Sequence, residues 1–233
     1  MIVAEIGTVY AADHEVDRLA IILEHATHAR RCGADAVKAQ MFVPDEPLFC
    51  PMPGDDKRWE RWKLTFMRPQ FWWSALKTCR EIYGIELFAS AFQNGAVDLC
   101  NELEFKWHKV ASRAVNFYPY AQARGEIIVS NGSGVHPPTF MKPGNSKLLF
   151  CVPKYPVPLS EAKWISNGYD GLSDHSGTPW PSLDALARGA EIIEVHFALD
   201  KSMAGNDAPV CLDRDQLKLI CDFRNALKEM GRC

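Results

Sequence analysis

Short runs of β-branched and apolar residues alternate with amphipathic stretches along the whole of this sequence, which predicts a parallel sheet whose strands are joined by crossover helices. Eight such runs read as strands: Ile2–Ile6, Ala36–Met41, Ile85–Ser90, Trp107–Ala111, Ile127–Ser130, Leu148–Val152, Gly171–Ser173 and Ile192–Phe197. Eight parallel strands close on themselves, so the expected fold class is α/β, a single (β/α)8 TIM barrel. The length of 233 residues agrees with the ~250 typical of that barrel, and residues 1–233 are expected to form one domain.

The expected helices are uneven. Glu15–Cys32 and Arg214–Glu229 are long, and the second sets Leu217, Ile220, Cys221 and Phe223 at helical spacing. Asn131–Lys147, between the fifth and sixth runs, carries Pro137, Pro138, Pro143 and several glycines, too broken for a crossover helix, so some βα units should be shortened. The proline-rich stretch Val43–Pro69 exceeds a simple connection and is expected to lie over the barrel mouth as a lid or loop.

A formal charge of −3 and a pI near 6.2 supply no basic field for nucleic acid or an anionic membrane, so any affinity for phosphate must be local. No stretch approaches the ~18 apolar residues of a membrane span. The 8 cysteines form no C-x-x-C pair, and Cys151 and Cys221 fall within an expected strand and helix, where free cysteine packs as a small hydrophobe. With no leader before the first strand, the expected location is the cytoplasm.

In such a barrel the reactive groups collect at the carboxyl ends of the strands. The polar residues there are Glu5, Lys38 and Gln40, Ser90, Lys109 and Ser112, Ser130, Tyr155, Ser173 with Asp174 and His175, and Glu194 with His196. His175 and His196 end consecutive strands, so their imidazoles are expected to converge on one ion of the Mn2+, Zn2+ or Fe2+ kind. A lone histidine is more often an ordinary hydrogen-bonded residue, and His14, His25, His28, His108 and His136 are read that way.

Lys38 and Lys109 follow hydrophobic runs with no acidic partner evident in sequence, and desolvated ammonium groups need anions such as a phosphate and a carboxylate. Ser112, Ser130 and Ser173 add hydroxyl donors. Ser130 heads the segment Ser-Asn-Gly-Ser-Gly, whose glycines let backbone amides approach an anion, although a plain turn fits as well. Trp59, Trp62, Trp72 and Trp73 offer a sugar-stacking platform, but such segments more often pack on a core, and packing is expected.

These residues fall in strings that resemble the successive blocks of the N-acetylneuraminate (sialic acid) synthases. They are Ala-Glu-Ile-Gly (4–7), Gly-Ala-Asp-Ala-Val-Lys-Ala-Gln (33–40), Lys-Val-Ala-Ser (109–112), Tyr-Pro-Val-Pro (155–158), Gly-Leu-Ser-Asp-His-Ser (171–176) and Glu-Val-His-Phe-Ala-Leu-Asp-Lys (194–201), in the same order over essentially the whole chain. The resemblance implies a transferase that adds phosphoenolpyruvate through its C3 to the aldehyde of an open-chain amino sugar such as N-acetylmannosamine. Water then attacks C2 and phosphate leaves, giving a 2-keto-3-deoxy nonulosonic acid. It also implies a divalent metal on His175 and His196, Mn2+ ahead of Mg2+ or Co2+. Lys38, Lys109, Ser112, Ser130 and Ser173 resemble the groups that hold phosphoenolpyruvate, with Ser90 a further substrate contact. Glu5, Gln40, Tyr155 and Asp207 resemble those that orient the acceptor and manage its protons.

The chain departs from that pattern at Thr8-Val9-Tyr10-Ala11 and at Ser90-Ala91-Phe92-Gln93. It departs again at Ala114 in place of a glutamate, at Pro153 in place of an asparagine, and at Gly205-Asn206-Asp207-Ala208. No C-terminal antifreeze-like domain is expected after the eighth helix. The expected partners are therefore the small-molecule substrates, with a homodimer or a separately encoded partner domain beside them. The alternative is a barrel that binds a sugar or a partner without catalysis.

Overall fold

Eight parallel strands close into one barrel in the computed structural model, which describes residues 1–132, 146–165 and 168–232. They are β1 (Ile2–Gly7), β2 (Ala36–Met41), β3 (Glu86–Ala91), β4 (Trp107–Val110), β5 (Glu126–Asn131), β6 (Ser146–Cys151), β7 (Gly171–Asp174) and β8 (Ile192–His196). Neighbours follow chain order, and β8 pairs with β1 to close the ring. The eight strands read from sequence are these eight, with ends differing by a residue or two.

Register decides which side chains share the interior, because residues paired across a parallel sheet point to the same face. Glu5 pairs with Lys38 on one side and with His196 on the other. Gln40 pairs with Ser90, Ser90 with Lys109, and Ser173 with Glu194. Followed at period two, this one parity runs around the whole ring. Phe88, Ile128 and Leu149 belong to it as well, as the partners of Lys38, Lys109 and Ser130, and fill the barrel interior. The opposite parity, including Val37, Leu87, Val129, Ile193 and Val195, is buried beneath the helices.

The outer layer begins with α1 (Glu15–Cys32), which ends where Gly33 adopts a left-handed φ of 96°. A Cβ at Gly33 would lie 3.1 Å from Cys221 Cβ on α6 (Arg214–Glu229), so glycine serves both the helix end and the close approach of the two helices. Helix α6 starts with a capping box, in which Asp213 and Gln216 each satisfy the other's backbone amide. Both helices have the bounds expected from their periodicity.

The crossovers are uneven, as expected. Only the 3-10 turn Ser112–Ala114 stands between β4 and β5. Of the broken stretch 131–147, residues 133–145 lie outside the described residues, as does His136. The insert after β2 contains helix α2 (Asp55–Lys63) before α3 (Pro69–Lys77), which runs on into a π-helical turn, Thr78–Tyr83. Helix α4 (Asn94–Glu102) follows β3 and α5 (Trp180–Ala187) follows β7. Trp72 packs in the core and Trp62 is buried, whereas Trp73 is exposed. The seven described cysteines are all free thiols. Among the described residues no helix is long and apolar enough to cross a membrane.

Candidate active site

A cavity of about 670 Å³ opens at the carboxyl ends of the strands, and every strand-end polar residue singled out from sequence except Asp174 lines it. Its floor holds two lysines and two glutamates. Lys38 Nζ donates to Ser90 Oγ at 2.7 Å, is in direct contact with Glu5 Oε2, and lies 3.8 Å from Glu194 Oε2. Lys109 Nζ donates to Ser130 Oγ at 2.8 Å and lies 3.5 Å from Glu194 Oε1, which also accepts from Ser173 Oγ at 2.9 Å. The expectation that both lysines lack acidic partners is therefore corrected. Glu5 and Glu194 come from β1 and β8, far apart in sequence, and become neighbours of the lysines only when the barrel closes.

Electrostatics divides the four groups. Burial alone would raise the Glu194 carboxyl, but Lys109 and Lys38 overcome it and hold the group at about 2. Burial alone would lower Lys38, yet Glu194 and Glu5 raise it. Glu5 is raised, chiefly by burial and against the pull of Lys38 and His196. Lys109 is lowered by burial, with Glu194 opposing. Lys38 and Glu194 are thus firmly charged, while Glu5 and Lys109 sit closer to their neutral forms.

His175 follows β7 and His196 ends β8, with ring centroids 5.5 Å apart. A carbonyl can only accept, so the His175 contact at 3.1 Å to Val152 O fixes the proton on Nδ1 and leaves the Nε2 lone pair facing the cavity. The Tyr155 hydroxyl, 3.0 Å away, donates to that lone pair, and its ring stacks on His175 at 4.3 Å. Burial first, then the proximity of His196, pushes the His175 imidazole down to about 3, so it is neutral in ordinary solution. Neutral imidazole is the form that ligates metal. Among the described residues no cluster of three or more His, Cys, Asp or Glu is placed to hold an ion. Two neighbouring imidazoles are donors of the type that divalent first-row ions take, and by themselves they make up less than a full protein ligand set.

Asp207 Oδ2 lies 3.9 Å from His196 Nδ1, on the 3-10 segment Lys201–Val210. A Cβ at Gly7, where φ is 51°, would lie 3.0 Å from that same oxygen, so glycine makes room for the carboxylate. Gln40 Nε2 donates to Glu5 Oε1 at 3.4 Å. Ser112 Oγ accepts at 3.1 Å from the amide of Gly132, the described glycine of the Ser-Asn-Gly-Ser-Gly segment, and 133–134 of that segment lie outside the described residues. Asp174 faces away from the cavity and accepts from the Ser176 amide and from Ser182 Oγ on α5. Ala114 is buried.

The insert supplies a wall, in which Trp62, expected from sequence to pack, is buried and also lines the cavity. Trp62 stacks on Phe42 at 4.6 Å, and Phe42 on Phe92 at 4.9 Å, making an aromatic side to the cavity. Helix α2 is tied down at both ends. Asp55 takes a two-pronged ion pair from Arg113, with Nη1 to Oδ1 at 3.1 Å. At the other end Arg61 donates to the Thr8 hydroxyl, to the Thr8 carbonyl and to Met203 O. Arg61 also packs against Gly205, where a Cβ would lie 2.8 Å from its Nε. Glu194 was detectable from sequence, since it precedes His196 by two residues on the same strand. Arg61 and Arg113 gave no such signal, because their partners lie on other segments.

A family model described as the NeuB family matches residues 25–233. The N,N'-diacetyllegionaminic acid synthase of Campylobacter jejuni is 34% identical over 63% of this chain, which spans 51% of that protein's length. The pseudaminic acid synthase of the same organism is 28% identical over 99% of this chain and 74% of its own length. In fold, the chain is similar to the sialic acid synthetase of Leptospira borgpetersenii, with a TM-score of 0.83 at 22% identity, over 99% of this chain and 84% of that one.

Proposed function

The chain belongs to the NeuB family, and from that membership and the cavity's donor set we propose that it condenses phosphoenolpyruvate with the aldehyde of an open-chain amino sugar. The products are a 2-keto-3-deoxy nonulosonic acid and phosphate. The observation that carries this reading is the meeting, in one cavity, of a buried Lys–Glu floor with two neighbouring imidazoles. Residues 1–233 act as one barrel unit, and the free thiols suit a reducing cytoplasm.

Lys38, Lys109, Ser90, Ser112, Ser130 and Ser173 hold the phosphate and carboxylate of phosphoenolpyruvate. A bound anion raises the Lys109 pKa again, because it supplies the charge that burial removed. His175 and His196 hold the divalent metal, Mn2+ in this reading, which when bound supplies Lewis-acid polarisation of the aldehyde oxygen. Gln40, Tyr155 and Asp207 orient the acceptor. Bond formation between C3 and the aldehyde carbon leaves an oxygen that needs a proton, and Glu5, raised by burial, is the group suited to give it. Water adding at C2 returns a proton to Glu5, the C2 to oxygen bond of the phosphate ester breaks, and phosphate leaves.

The test is phosphate release from phosphoenolpyruvate with Mn2+ and a panel of N-acylated hexosamines, read with product mass. Release that depends on the sugar is expected. No release with any aldose would overturn this reading in favour of a barrel that binds a sugar without condensing it.

A further inference from the structure

Of the strand-end polar residues read from sequence, Asp174 alone does not line the cavity, and its carboxylate is taken up by the turn that carries His175. Asp174 Oδ1 accepts at 2.9 Å from the amide of Ser176, two residues on, so the side chain bridges across His175 and closes the turn around it. Asp174 Oδ2 accepts at 2.9 Å from Ser182 Oγ, in the first turn of α5. Asp174 and Ser182 are both buried, so water does not compete for either bond.

The turn is gripped from its other sides as well. The His175 carbonyl accepts from the Val157 amide at 2.9 Å, and the ring Nδ1 donates to Val152 O at 3.1 Å. A Cβ at Gly177, where φ is 71°, would lie 2.4 Å from Pro209 O, so the turn abuts the Lys201–Val210 segment closely. Val152, Val157 and Pro209 all act through main-chain atoms. Asp174 and Ser182 act through side chains, and theirs is the grip that a substitution can release.

On the reading of His175 and His196 as metal ligands, the direction of the His175 Nε2 lone pair matters more than it would among three or four protein donors, since losing one of two leaves a single donor. We propose that Asp174, clamped by Ser182, is a positioning residue for His175, so that divalent-metal affinity depends on two buried hydrogen bonds between β7 and α5, outside the cavity. Asp174 touches neither the ion nor a substrate. The competing account is that the two bonds only secure the start of α5. It predicts lower stability with the His175 ring and the metal affinity unchanged.

The experiment titrates the full chain with Mn2+, read by the EPR signal of the free ion, and records nitrogen NMR spectra of the histidine rings without metal. His175 is assigned by its loss in His175→Gln. Asp174→Ala and Ser182→Ala should bind Mn2+ about 10-fold to 100-fold more weakly, as when the partner that orients a ligand is removed. In both, the His175 ring, whose proton sits on Nδ1 in the wild type, should give signals averaged between its tautomers. Asp174→Asn keeps an acceptor for the Ser176 amide and offers Nδ2 to the Ser182 hydroxyl, so it should restore both readouts. Ser182→Ala deletes one oxygen, and circular dichroism shows that it is folded, so the outcome does not depend on Asp174→Ala alone. Either readout unchanged in the folded alanine variants overturns the positioning role, as does an Asp174→Asn chain no better than Asp174→Ala. If the wild-type chain binds no Mn2+, the metal reading falls, and the ring signals of the metal-free variants decide the positioning role.

Discussion

Arg61 and Thr8 are joined through two atoms of one guanidinium, Nε to the hydroxyl at 2.8 Å and Nη2 to the main-chain carbonyl at 2.7 Å. Thr8 directly follows β1 and Arg61 lies in the last turn of α2, so the lid is fixed to the first strand beside Glu5 and Asp207.

Replacing Arg61 with alanine leaves the Thr8 and Met203 carbonyls without their donor, a loss of about 1–3 kcal/mol for buried groups left unsatisfied. For a chain of this size that corresponds to a fall in Tm of roughly 2–12 °C. Arg61→Lys should recover little, since an ammonium cannot reproduce the planar fork. Thermal melting with hydrogen exchange across α2 is the check, and unchanged protection of α2 in Arg61→Ala would refute the role.

The other end of the lid should loosen in acid. Burial pushes the Asp55 carboxyl up, but Arg113 and the Met52 amide outweigh it and hold the group below its ordinary value. A carboxyl whose folded pKa lies below the unfolded one contributes stability that is complete above the unfolded value and is lost as pH falls through the folded value. Anchorage of α2 should thus be constant above about pH 4 and weaken below it. Tryptophan fluorescence, with Trp62→Phe to isolate the local signal, should follow this change, and Asp55→Asn should abolish it.

The floor makes two opposed predictions. Lys109→Ala removes a buried cation that faces the substrate anion and should weaken phosphoenolpyruvate by roughly 2–5 kcal/mol. Glu194→Gln removes the shared partner of both lysines, so it should destabilise the fold by about 3–5 kcal/mol while tightening inorganic phosphate. Melting temperature and calorimetry on the two variants separate these effects. A Glu194→Gln chain that melts as the wild type does and binds phosphate no better would contradict the charge balance described above.

His175→Ala and His196→Ala should each lose bound Mn2+ while keeping the barrel fold. Metal analysis after dialysis, beside circular dichroism, is the measurement. Retention of a full equivalent by both variants would place the ion elsewhere.

Much of this architecture could be read from the sequence, because two periods carry it. The period of two that marks β1 to β8 also puts Lys38 and Gln40, or Glu194 and His196, on one face, and the 3.6 period fixes α1 and α6 to the residue. Asp174, of the opposite parity to Ser173, could have been assigned outward on the same ground. What the sequence hides is adjacency between segments. The contacts of Glu5 with Lys38 and of Lys109 with Glu194 depend on which strands face one another in a closed ring. Arg61 finds its partners at Thr8 and Met203, and no local pattern announces either. The prolines around α2 obscure a helix whose charged and aromatic residues shape the cavity.

Closure of the ring through β1 and β8 also sets an order of assembly. During synthesis Glu5 and Lys38 emerge early and can pair as soon as β1 and β2 meet, whereas Lys109 must wait for Glu194, whose strand is the last of the eight. Until then a nascent or truncated chain carries a lysine in an apolar setting without its counter-charge, a state that burial penalises. Partial barrels should accordingly remain open and easily proteolysed, and the last strand should add stability out of proportion to its length. A floor-binding anion such as phosphate would then report on completion itself, protecting only those chains in which the first and last strands have found each other.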